Sequence, residues 1–302
     1  STILNDNKLV NLLGNESASP TDGEAKMVIH ILKRTFASGI VYLLVISLFT
    51  TPLYPAMASS STAPASPRTS FSQGQPPEVK FFVPANDSIG LALAIHYASI
   101  VPYHPSLPPA QIYLEGGTYK FSFPGSDQAP QFPRLSGNII IHGSNAQLRL
   151  DAGASSRPIY IMKKSKIEIH NLRLEFISSV GRSIHNAGDL SLIDVEIVST
   201  HNSGGGINNE GLLTLERSVI RNAVEANGLG GGIYNKGSLT VTCSELANNQ
   251  AIQGGAIFNA DEGTATIDQS RFSGNVGIGG AIFNASGNIV ASSANFWSSG
   301  TP

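Results

Sequence analysis

Beyond residue 110 the apolar positions of this chain fall into a recurring figure. Two apolar residues flank one outward residue, a break follows, and then a further apolar position. The pairs are Ile139 and Ile141, Ile167 and Ile169, Leu190 and Leu192, Leu213 and Leu215, Leu239 and Val241, Ala265 and Ile267, and Ile289 and Ala291. Beyond the break stand Leu174, Ile197, Ile220, Leu246, Phe272 and Phe296. A period of 2 inside each pair predicts short strands with one face inward. The whole figure returns about every 24 residues, which predicts one coil of a stack per repeat, because so short a unit cannot bury its apolar face alone. About eight coils fit when counted from Ile112, a rod of roughly 40 Å at about 4.8 Å per coil.

Between these figures runs a second pattern, G-[GA]-I-x-N. It appears as Gly205-Gly206-Ile207-Asn208-Asn209, Gly231-Gly232-Ile233-Tyr234-Asn235, Gly255-Ala256-Ile257-Phe258-Asn259 and Gly280-Ala281-Ile282-Phe283-Asn284. A weaker copy, Gly181-Arg182-Ser183-Ile184-His185-Asn186, precedes them. The glycines suit a backbone bend. The asparagines Asn186, Asn209, Asn235, Asn259 and Asn284 are expected to form a side-chain ladder, each amide serving the next coil and the backbone groups that the bend leaves free. Together these patterns predict an all-β chain, a right-handed single-stranded parallel β-helix. Asp87-Ser88 followed by Ile89, Leu91, Leu93, Ala94, Ile95 and Ala98 predicts a short amphipathic helix with an N-cap, closed off by Pro102, Pro105, Pro108 and Pro109. Such a helix would cap the open end of the first coil.

The region before residue 81 reads differently. Lys33-Arg34, the apolar stretch Gly39 to Leu48 and Ala56-Met57-Ala58 have the layout of a secretory signal starting at Met27. Four segments are therefore expected: 1–26 as upstream or non-native sequence, 27–58 as signal peptide, 59–80 as a disordered Ser/Pro/Ala linker and 81–302 as the solenoid. The closing Phe296-Trp297-Ser298-Ser299-Gly300 shows no capping pattern, so the solenoid is expected to be truncated there. Any membrane contact would be through the uncleaved signal segment.

Composition narrows the function. Charged residues make up 13% of the chain and the net charge is −2, with no basic patch, which argues against nucleic acid. A single cysteine, Cys243, excludes an internal disulfide and a Cys-based metal cluster.

Gly254-Gly255-Ala256-Ile257 and Gly279-Gly280-Ala281-Ile282 are G-G-A-I motifs, and Phe272-Ser273-Gly274-Asn275 is an F-x-x-N motif. They resemble the repeats of the chlamydial polymorphic outer-membrane proteins, surface adhesins carried by an autotransporter barrel. More broadly, the chain from about residue 83 resembles the right-handed parallel β-helix, or pectin-lyase-like, repeat proteins. The cap Ser88-Ile89-Gly90-Leu91-Ala92-Leu93-Ala94-Ile95 and the strand Ile112-Tyr113-Leu114-Glu115-Gly116-Gly117-Thr118-Tyr119 share in that likeness. The resemblance implies a secreted or cell-surface protein, and the long, regular, hydrogen-bonding face of such a rod suits contact with extracellular glycans or surface proteins in a non-catalytic adhesive or structural role. A barrel such as the adhesins carry is not part of the sequence.

Catalytic chemistry would have to sit on outward columns. Glu216 and Asp268 fall in one such column, two coils or about 10 Å apart, just beyond the separation of an inverting glycosidase pair. They are the pair to test if the chain is instead a polysaccharide lyase or glycoside hydrolase of the pectin-lyase-like class. The polygalacturonase signatures are missing beyond the fragment Ile141-His142-Gly143. His142 and His170 align one coil apart, but without a third ligand they read as polar bend residues, as do His185 and His201. No metal and no cofactor is expected. Thr214, Thr240 and Thr266 form an outward column, with Thr242 and Thr264 beside it. Flat threonine arrays of this kind give ice binding as a minor alternative, although Glu216, Ser238 and Asp268 interrupt this one.

Overall fold

The computed structural model describes residues 27–36, 39–48, 78–100, 107–122, 131–151, 158–177, 182–200, 206–260 and 262–297, with the side chains of 27–36, 39–48, 226 and 227 outside that description. The upstream segment 1–26, the proposed cleavage site, most of the Ser/Pro/Ala linker and His201 lie outside the described residues.

The chain is a parallel β-solenoid. Its long sheet begins each coil with a strand of the column Val79–Val83, Ala110–Leu114, Asn138–Asp151, Lys166–Ile177, Asp189–Ile193, Leu212–Glu216, Ser238–Thr242, Thr264–Asp268 and Asn288–Ser292. Register holds residue for residue. Ile139 stacks on Ile167, then Leu190, Leu213, Leu239, Ala265 and Ile289, and Ile141 heads the companion column down to Ala291. Beyond the bend, Tyr119, Leu148, Leu174, Ile197, Ile220, Leu246, Phe272 and Phe296 stack in the same way. A second sheet is made of the six strands Ile159–Ile161, Ile184–Asn186, Ile207–Asn209, Ile233–Asn235, Ile257–Asn259 and Ile282–Asn284. A third sheet has Val224–Leu229, Gln250–Gln253 and Val276–Ile278. The expected eight coils correspond to eight strands stacked from Ala110–Leu114 onward. The second sheet takes part in six of them, so the solenoid has about six full turns among the described residues.

The core is the sum of these columns. Ile139, Ile167, Leu190, Leu213, Leu239 and Ile267 are at most 1% exposed, and a stack of identical coils buries such side chains against the coils above and below.

Between the two strands of the long sheet the backbone turns through one left-handed residue per coil: Asn145, Asn171, Asp194, Arg217, Cys243, Gln269 and Ser293, with φ from 47° to 55°. Bends into the second sheet use glycine where contact is closest. A Cβ on Gly254, itself at φ 62°, would lie 2.1 Å from Ile257 O, so only glycine fits there.

The N-terminal helix, α1, spans Ser88–Ile100. Asp87 caps it, accepting from Gly90 N at 2.9 Å through its carboxylate and from Leu91 N at 3.0 Å through its carbonyl. Leu91, Ala94, Ile95 and Ala98 are buried at helical spacing. The expected amphipathicity is one-sided, since Ile89, Tyr97 and Ile100 are exposed on the remaining faces. Tyr119 ties the strand after the helix to the strand before it. Its hydroxyl lies 2.9 Å from Glu115 O, 3.0 Å from Pro84 O and 3.2 Å from Val83 O.

The stretch with the layout of a signal forms two strands, Met27–Phe36 and Gly39–Leu48, paired antiparallel. Met27 to His30 also pair in parallel with Val79 to Phe82, extending the long sheet beyond its first coil.

Candidate binding face

The asparagine column is internal and structural. Asn186, Asn209, Asn235 and Asn259 are fully buried. Each Nδ2 donates to the Oδ1 of the next: 2.8 Å to Asn209, 2.7 Å to Asn235, 2.7 Å to Asn259 and 2.9 Å to Asn284. The other Nδ2 hydrogen meets a backbone carbonyl, such as Leu212 O at 2.7 Å from Asn186. The donors of the four buried amides are used up inside the ladder, leaving them nothing with which to grip a ligand.

A serine ladder was not foreseen in the sequence pattern. Val195 N donates to Ser218 Oγ at 3.1 Å, Ser218 N to Ser244 Oγ at 3.0 Å and Ser244 N to Ser270 Oγ at 3.2 Å. Ser218, Ser244 and Ser270 recur every 26 residues, so the signal is present, though serine is too common at bends to stand out.

The surface that remains for chemistry is the outer face of the long sheet. Thr214, Thr240 and Thr266 stand in register, preceded by Ser191 and followed by Val290. Thr264 follows Leu212 and Ser238 in the column on one side, and Thr242 lies between Glu216 and Asp268 on the other. Glu216 and Asp268 thus occupy one column, two coils apart, and are not brought together. Glu216 is held by Arg217, and Asp268 accepts from Ser292 Oγ at 2.7 Å. Arg217 also forks onto Asp194 at 2.8 and 2.9 Å, which holds the Asp194 carboxyl below the usual carboxylate range.

Toward the N-terminal end the same face changes character. Phe82, Tyr113, His142 and His170 form one column, with ring centroids 5.1, 4.6 and 5.3 Å apart. The histidines lie within the strands Asn138–Asp151 and Lys166–Ile177, ahead of the left-handed bend residues Asn145 and Asn171, and stack as part of a ring column. The first three rings lie nearly parallel, at 14° and 10°. Tyr113 is covered on both faces by this stacking, while Phe82 is 44% exposed. Burial lowers the His142 pKa, and the charge on His170 adds to the effect. Beside the column, Glu168 accepts from Lys166 at 3.2 Å and faces His170 Nε2 at 3.3 Å. Burial alone would raise its carboxyl, but these two bonds outweigh it and hold Glu168 below its ordinary value. Asp189, one coil on, is pushed up by burial, with Lys166 opposing. This knot of titratable groups was not foreseen, because it depends on which residues the coil register brings side by side.

A second ring stack runs along the outside of the second sheet. Tyr234, Phe258 and Phe283 lie 5.5 and 5.4 Å apart at 3° and 4°. The Arg182 guanidinium covers Tyr234 at 4.4 Å.

No group of three or more His, Cys, Asp or Glu among the described residues is placed to hold a metal ion. No helix among them is long and apolar enough to cross a membrane. Comparison with protein-family models, with curated proteins and with solved structures finds no match to this chain.

Proposed function

We propose that the chain is a non-catalytic secreted or cell-surface protein whose solenoid contacts extracellular glycans along the outer face of its long sheet, in an adhesive or structural role. One observation carries the reading: outward hydrogen-bonding side chains repeat in strict register, as in Ser191, Thr214, Thr240 and Thr266. Groups spaced by about 4.8 Å along a straight axis suit a polymer lying along that axis better than a compact substrate. The leader layout at 27–58 supports export. The repeat motifs support kinship with the polymorphic outer-membrane and pectin-lyase-like proteins, and parallel crossovers support a right-handed coil.

The engagement of Glu216 with Arg217 and its distance from Asp268 speak against the hydrolase alternative. Incubation with acidic and neutral polysaccharides, assayed for new reducing ends or unsaturated products, tests this. Glycan retention without turnover is expected; turnover abolished by Glu216→Gln would overturn the reading. Ice-recrystallisation inhibition lost on Thr240→Ala would instead favour the ice-binding alternative.

A further inference from the structure

A groove of about 440 Å³ crosses three coils at the bend between the second sheet and the long sheet. Lys164 and Lys166 come from one coil, Asp189 from the next and Glu210 from the third. The floor includes Gly188 and Gly211. A Cβ on Gly211 would lie 1.9 Å from Gly188 O, and one on Gly188 2.4 Å from Met162 O, so coil stacking keeps this floor bare backbone. Lys164 is held at φ 62°, a left-handed conformation that side-chain-bearing residues rarely adopt. Lys164 and Asp189 form no ion pair among the described residues. Lys166 is shared with Glu168, and Glu210, its side chain 43% exposed, accepts from Asn208 Nδ2 at 3.1 Å and lies 3.8 Å from His185 Nε2. The groove thus offers ammonium groups at one end and carboxylates at the other, separated by one to two coil spacings, roughly 5–10 Å.

Resting on the glycan reading above, we infer that this groove is a subsite for a zwitterionic amino sugar, with its anionic substituent on Lys164 and Lys166 and its free ammonium between Asp189 and Glu210. A purely anionic sugar would set its charge beside two carboxylates, and a purely cationic one would face two lysines. Only a ligand with both charges is complementary along the whole groove. The bare floor lets a pyranose ring approach closely, while the Gly188 and Gly211 N–H and C=O groups are already paired within the solenoid, so the polar contacts come from the charged walls.

The test uses the full chain and four probes: glucosamine 6-sulfate, N-acetylglucosamine 6-sulfate, glucosamine and glucose, titrated by calorimetry or by NMR. Glucosamine 6-sulfate is expected to bind best, by roughly tenfold over each singly charged probe. Lys164→Gln should remove the advantage of the sulfate, and Asp189→Asn the advantage of the amine. Lys163→Gln, beside the groove, should change neither, and all three variants should keep the parent melting curve. Equal binding of the four probes, no binding of any, or an equal effect of Lys163→Gln and Lys164→Gln would overturn the subsite. Polysaccharide retention unaffected by Lys164→Gln would overturn the subsite while leaving the broader reading intact. Turnover of a polysaccharide would overturn the broader reading itself.

Discussion

Asn209 donates through Nδ2 to Asn235 Oδ1 at 2.7 Å, although 26 residues separate them along the chain. Its second hydrogen goes to Ser238 O at 3.0 Å, and its Oδ1 accepts from Asn186 and from Gly211 N. The amide has no unused donor, and its surroundings are dry. Asn235→Ala would strand the Asn209 amide, the Asn259 oxygen and Thr264 O at once. A loss of about 2–4 kcal/mol is expected, since each stranded buried group costs about 1–3 kcal/mol before relaxation. Asn284→Ala, at the exposed end of the ladder, should cost less than about 1 kcal/mol. Urea unfolding of both variants checks this, and equal losses would contradict a role for ladder continuity.

The serine ladder makes a similar prediction at smaller scale. Ser244 Oγ accepts from Ser218 N at 3.0 Å and donates to Thr242 O at 2.8 Å. Ser244→Ala leaves the buried Ser218 amide without that acceptor. A destabilisation of about 1–2 kcal/mol is expected. The distinguishing measurement is hydrogen exchange: the Ser218 amide should lose more protection than the Ser244 amide, whose own acceptor, Ser270 Oγ, is intact.

Repetition decides how much of this fold is legible in the sequence. The inward columns align from sequence alone because Leu190, Leu213 and Leu239 keep both residue type and spacing, and an interior that stacks like on like demands that. The asparagine ladder is legible for the same reason. The left-handed column is not: Asn171, Asp194, Arg217, Cys243 and Gln269 share a backbone conformation and no chemistry. The outer face is half legible. Its columns follow from the period of 2, so Glu216 and Asp268 fall where expected. The partners do not, because Arg217 on Asp194, Glu196 between Arg173 and Arg221, and Lys166 on Glu168 depend on long side chains choosing among neighbours on several coils. The groove leaves no trace in the sequence pattern, since its floor is glycine backbone and its walls come from three coils.

Cys243 occupies the left-handed column at φ 51°, exposed, with only a 3.5 Å contact from Sγ to Gln269 Oε1. Asparagine and glycine take this conformation at lower cost than a thiol-bearing side chain. Cys243→Asn is expected to stabilise the fold by about 0.5–1 kcal/mol, and Cys243→Gly by less, because glycine also loosens the unfolded chain. Arg217→Gly should come out near neutral: it gains the same relief but loses the solvent-exposed ion pairs with Asp194 and Glu216, which solvent screens. Denaturant midpoints of the three variants check the ordering.

Acidification should lower the stability of the fold in two stages. His142 has its pKa lowered by burial, with His170 and Lys80 adding to the shift and Glu168 opposing it. Tyr113 and His170 stack against its ring, and Nε2 is enclosed without a hydrogen-bond partner among the described residues. The unfolded chain therefore takes up a proton at His142 first, near pH 6.5, and stability falls as the pH drops below that value toward the lower folded pKa. Glu168, held below its ordinary value despite burial because Lys166 and His170 bond it, adds a second loss once the pH passes below about 4.5. Asp189 works in the opposite sense. Burial raises its folded pKa, so the folded chain takes up that proton first and recovers part of the loss at the acid end. His142→Phe keeps a ring between Tyr113 and His170 but cannot titrate. It is expected to flatten the fall in urea midpoint between about pH 7 and 5.5 while leaving the fall below about pH 4.5 in place. Glu168→Gln should do the reverse. A first stage that survives His142→Phe would assign it to another group and sink the explanation.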